Sequence, residues 1–270
     1  MRIRPVILSA ACLAATLFFG ATSLAEEIPI GVLRDWLYHD NRGQTYLSRG
    51  EYQKAEERFR NAIEVIRPYS MADQRLLASS YTKLARVLYH QGRYSDAEPL
   101  AAWALKVRES NPKVRADLVF QSLYTLALIH MAEDHFNKAE VLLRRALEIQ
   151  ENEIGPGHVQ TAATIDELAG VCTEQRKFHD ADQFYRRALR IYERFDPDMN
   201  PDLAACADRY SAMLARIDRK ADAEKYRSKA AHIRESIATK KARFHDTQTR
   251  PEFRMDNPSP KTKASDSPRR

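Results

Sequence analysis

Apolar residues return every three or four positions along most of the chain, and short polar turns break the rhythm at regular intervals. Tyr81, Leu84, Ala85, Val87 and Leu88 keep a helical period, Gln91-Gly92-Arg93 interrupts it, and Ala97, Leu100, Ala104, Leu105 and Val107 resume it. Helical periodicity on both sides of a short break predicts two antiparallel helices joined by a loop. The unit recurs every 42 residues: Ala55, Ala97, Ala139, Ala181 and Ala223 form one ladder, and Ala62, Ala104, Ala146, Ala188 and Ala230 form a second. A fixed period of this length predicts stacked helix pairs that bury a continuous core only by packing on their neighbours.

Other positions in the unit have a packing or capping reading. Gly43, Ala85, Ala127, Ala169 and Ser211 share one place late in the first helix, where a small side chain lets two helix backbones approach. Tyr52, Tyr94, Phe136 and Phe178 follow the turn and are expected to wedge the pair. Glu56, Glu98, Glu140, Asp182 and Glu224 follow the first-ladder alanines, and a carboxylate in the first turn favours the positive end of a helix. Ser95 with Glu98 reads as a capping box.

These residues resemble the tetratricopeptide repeat, most fully in Gly43, Tyr46, Gly50, Tyr52, Ala55, Phe59, Ala62 and Pro68. The 42-residue spacing, and linkers such as Ile154-Gly155-Pro156-Gly157-His158, resemble the kinesin light chain type and its bacterial relatives. The resemblance covers roughly residues 32–238. It implies an all-α fold: a right-handed superhelical solenoid of five helix-turn-helix repeats, near 36–69, 78–111, 120–153, 162–195 and 204–238. Lys220 and Arg227 stand where the last repeat should carry aromatics, so 220–238 reads as a polar cap.

The ends differ in composition from the repeats. Arg2 and Arg4 precede an apolar run from Val6 to Phe19, and Ser23-Leu24-Ala25 has small residues at a cleavage spacing. Residues 1–25 are therefore expected to be a signal peptide of an exported protein, periplasmic or secreted; the alternative is an N-terminal membrane anchor. Residues 240–270 hold Pro251, Pro258, Pro260 and Pro268 with many Lys and Arg, and are expected to form a disordered basic tail. The formal charge of +6 belongs mainly to the ends, so the repeats between 26 and 239 offer no nucleic-acid groove. Contact of the tail with an anionic surface is the one electrostatic partner the composition suggests.

Chemistry is thinly represented. The sequence holds no Gly-rich phosphate loop, no HExxH and no GxSxG. Cys172 and Cys206 are expected to be buried thiols, and His130 a satisfied core residue; no metal, cofactor or catalytic residue is expected. In the family resembled, the first helices line the concave face. By phase, Lys83, Arg86, Tyr89 and His90 of the second repeat point there, with Tyr124, Leu128 and Met131 of the third and Asp166 and Glu167 of the fourth. Aromatic anchors flanked by charge fit a partner protein or peptide segment, with Lys83 and Arg86 pairing with its acids. The expected function is a non-enzymatic adaptor or assembly factor of the cell envelope. The alternative is a structural protein that self-associates or braces a complex through the convex face, with Trp103 as an outer contact.

Overall fold

The computed structural model describes residues 28–70, 73–111, 113–195 and 199–249. The expected signal peptide lies outside the described residues. These contain ten α-helices, one short 3-10 turn and no strand. Two compact units divide them, and the division falls between residues 177 and 178, where a turn gives way to a helix.

The first unit holds α1 (Ile30–Ser48), α2 (Tyr52–Ile66), α3 (Gln74–His90), α4 (Tyr94–Glu109), α5 (Ala116–Ala132), α6 (Phe136–Glu153) and α7 (Val159–Glu174). Each helix packs on the one that follows it, and α3 also touches α1 and α5. The second unit holds α8 (Phe178–Tyr192), α9 (Pro201–Arg216) and α10 (Lys220–Thr249), packed in sequence. The first helix of each repeat begins three to six residues before the expected boundary. The start signals are visible in the chain: Asp73, His158 and Asn200 each accept a backbone N–H two residues on, and Pro201 occupies the first helical position.

Both alanine ladders are buried along their whole length. Gly43 shows why the shared small position must be small. A Cβ there would lie 2.7 Å from Cε1 of Phe59, whose side chain is fully enclosed. Cys172 and Cys206 are buried, as the pattern of their helices implies. In α10 the buried stripe narrows to Ala223, Ala230 and Ile233, while Lys220 and Arg227 face water. The helix continues through residue 240, the expected start of the tail, to Thr249. Ala242, with Lys and Arg around it, sustains helix. Residues 250–270 lie outside the described residues.

The row of acids serves a different purpose from the one expected. Arg93, not Ser95, is the N-cap of α4, no side chain caps that helix, and Glu98 sits beyond its first turn. The acids instead reach the turn of the next repeat. Glu56 accepts from Arg93 at 2.9 Å and from Arg60 on its own helix at 2.8 Å. Glu140 accepts from Lys177 at 2.6 Å and from Arg144 at 2.9 Å. In the second unit Asp182 pairs with Arg219 at 3.1 Å and Arg186 at 2.8 Å. The cations form a ladder of their own, 93, 135, 177 and 219, again 42 apart. At position 135 the cation is replaced by histidine, and Glu98 has Ala102 where Glu56, Glu140 and Asp182 have arginine. The cations of these nodes are exposed to water, so each pair adds little to stability.

Candidate functional site

A groove of about 590 Å³ lies in the first unit. Its walls come from α3 (Arg86, Tyr89, His90), α5 (Asp117, Phe120, Gln121, Tyr124, Thr125, Leu128) and the first turns of α7 (Gln160, Ala163, Thr164), with Gln150 from the end of α6. Helix period places Phe120, Tyr124 and Leu128 on one face of α5, four residues apart. The rings of Phe120 and Tyr124 stack at 5.5 Å between centroids. Thr164 donates to Gln150 Oε1 at 2.6 Å, which fixes the buried amide at the edge of the groove.

The groove is electrostatically uneven. His90 lies flat against Tyr52, with centroids 5.0 Å apart. Burial, reinforced by the Arg86 guanidinium, holds the His90 pKa below its ordinary value, so the ring is neutral at neutral pH. Burial raises the Tyr89 phenol, and the Glu167 carboxylate raises it further. Arg86 is exposed and makes no ion pair among the described residues, which leaves one cation at the α3 wall available to an anionic group.

Of the nine residues expected to meet a partner, Arg86, Tyr89, His90, Tyr124 and Leu128 line this groove together. The other four do not. Lys83 is committed within the protein: its Nζ donates to both carboxylate oxygens of Asp40 at 2.7 Å, and Asp40 is only 4% exposed. Asp166 is 1% exposed, because it falls on the packed stripe of α7 between Ile165 and Ala169. Met131 is half-buried outside the lining, and Glu167 also lies outside it, its charge helping to raise the Tyr89 phenol. Asp117 was missed because α5 begins a turn earlier than the repeat phase indicates, whereas Phe120 and Gln121 lie inside the expected repeat and were not among the positions assigned to the concave face. The 3.6 period continued backwards from Tyr124 would have reached Phe120.

His130 departs from the satisfied core residue expected of it. It is 5% exposed, yet its Nδ1 is buried without a hydrogen-bond partner. Trp103 packs edge-on against Tyr81 at 5.0 Å and is half-buried, so it is a poor outer contact.

Comparison with known proteins bears on the fold and the family. The family model of the tetratricopeptide repeat matches residues 33–110 and 118–194, more than half of the chain. No curated protein matches the sequence significantly. Among solved structures, BtubC (BKLC) from P. vanneervenii is 21% identical, with a TM-score of 0.63 over 92% of this chain and 99% of that one. Nearly identical TPR-like repeats of a putative kinesin light chain from Podosopora anserina are 18% identical, with a TM-score of 0.56 over 79% of this chain and 96% of theirs. A Rap protein solved in complex with competence and sporulation factor is 17% identical, with a TM-score of 0.59 over 74% of this chain and 55% of its own. At such identities the likeness is one of fold.

Proposed function

The chain belongs to the tetratricopeptide repeat family, and from that premise we propose that it is a non-enzymatic binding module whose groove between α3, α5 and α7 holds a segment of a partner protein. The observation that carries this reading is the preformed groove itself, with an aromatic wall on α5 and Arg86 opposite. Tyr124 and Phe120 offer flat apolar area that is already ordered, so little entropy is lost when a side chain lies against them. Leu128 extends that surface by one turn. Arg86 pairs with an acid of the partner and sets its direction, the role that Lys83 cannot share.

The occupant that fits is a segment with an apolar or aromatic anchor and an acidic residue within a few positions of it. Neutral His90 beside Tyr52 accepts or donates one hydrogen bond without adding charge. A Rap protein of similar fold was solved in complex with a factor, which supports a binding role. The apolar run from Val6 to Phe19 supports export, and we place the module in the cell envelope as an adaptor or assembly factor.

The test is capture of partners from the native envelope fraction by crosslinking and mass spectrometry, with Arg86→Glu plus Tyr124→Ala as the control protein. Truncating a buried aromatic anchor costs about 2 kcal/mol, roughly thirtyfold in affinity. One dominant partner captured by the natural chain and lost by the double variant supports the groove. Equal capture by both proteins overturns it.

A further inference from the structure

We propose that His130, Glu133 and His135, with Glu98 beside them, form a site for a single divalent zinc-type cation at the turn between α5 and α6. A ring nitrogen of each histidine and a carboxylate oxygen of Glu133 lie within 4.8 Å of one another. His135 Nδ1 is 3.5 Å from Glu133 Oε2, and Glu98 Oε1, reaching over from α4, is 3.8 Å from His130 Nε2.

Two observations join here. The first is the break in the ion-pair ladder. Where Glu56, Glu140 and Asp182 meet an arginine or lysine of the next turn, Glu98 meets the His130 imidazole. A strong carboxylate–cation pair is therefore absent at this one place of the first unit, and a metal ion supplies the missing positive charge. The second is unsatisfied chemistry. His130 Nδ1 and Glu133 Oε2 are buried without a hydrogen-bond partner, which costs about 1–3 kcal/mol for each such group. Structures avoid that cost unless something occupies the place.

The donor set selects the ion. Two imidazole nitrogens with carboxylate oxygens suit zinc and its borderline neighbours and disfavour calcium and magnesium, which want oxygen alone. Tetrahedral zinc holds its donors roughly 3.3 Å apart. The His135 side chain is half exposed and sits on the turn that follows Asp134, so it is free to close the remaining gap. Asp134 adopts a left-handed φ of 59°, which turns the chain back and sets Glu133 and His135 near one another. None of the four residues lines the groove, so the site stands or falls independently of the partner reading.

The experiment is titration of the purified chain with Zn²⁺ alone at pH 7.5 by calorimetry, alongside His135→Gln, Glu133→Gln and the control His179→Gln. His135 caps nothing with its side chain and His179 lies exposed on α8, so these variants keep their fold, checked by circular dichroism. Expected is one Zn²⁺ per chain, with affinity falling more than ~10-fold in each site variant and unchanged in the control. Sub-stoichiometric Zn²⁺ also shifts the imidazole NMR signals of His130 and His135 before those of the other histidines. Absence of binding below ~100 μM, or site variants that keep the affinity of the natural chain, overturns the proposal.

Discussion

Lys83 illustrates how one contact redirects a residue. Its repeat phase aims it at the groove, but Asp40 lies across from it on α1, and the pair closes with two bonds of 2.7 Å on a nearly buried carboxylate. Removing the cation leaves that carboxylate uncompensated. Lys83→Ala should therefore cost about 3 kcal/mol and lower Tm, measured by thermal unfolding, while leaving groove affinity per folded molecule unchanged. A variant that unfolds normally but loses its partner would return Lys83 to the binding surface. Asp166 makes the same point in reverse: a charged letter on a helix face reads as surface, but its neighbours in space enclose it.

At the level of the helix pair, the contact between α1 and α2 depends on Gly43 against Phe59. Alanine is the better helix former by about 1 kcal/mol, and four of the five repeats carry a side chain at this place. In the first repeat the Phe59 ring already fills the space, so Gly43→Ala forces a fully enclosed aromatic to move. Overpacking of this kind costs about 1–3 kcal/mol, and the expected net outcome is destabilisation, read as a lower Tm. The third repeat solves the same packing problem with Ala127 and Leu143. Gly43→Ala combined with Phe59→Leu should therefore recover part of the loss, and a double-mutant cycle gives the coupling. Additive effects would show that the two positions do not compete for one volume.

For the chain as a whole, charge is distributed by segment. Residues 250–270 carry six Lys or Arg against three Asp or Glu, while the groove relies on apolar area and one arginine. The two surfaces should separate cleanly. Ending the chain at Thr249 should weaken sedimentation with anionic phosphatidylserine vesicles at low salt, since each basic residue near such a surface contributes about 1 kcal/mol. Partner capture through the groove should be unaffected by that truncation. Vesicle binding that survives it would locate the anionic contact on the helices instead.

Periodicity made the architecture legible before any coordinates. A 42-residue ladder of alanines can arise only if each repeat meets the next in the same way, so the helix pairs, their small crossing residues and the polar last helix all follow from spacing. Spacing also reached Arg86, Tyr89, His90, Tyr124 and Leu128, because a residue's face is a property of its own helix. It did not reach Asp117, which depends on where α5 starts, nor the pairing of Lys83 with Asp40, and it stopped one turn short of Phe120. It misread the acids after the alanines, since their partners lie in the next repeat, and it took His130 for a satisfied residue when its neighbours leave one nitrogen bare. Face and period are local quantities carried by a single helix. Pairing, burial and the gathering of donors around Glu133 are decided by which side chains two different helices bring to one point, and only the packed structure supplies that.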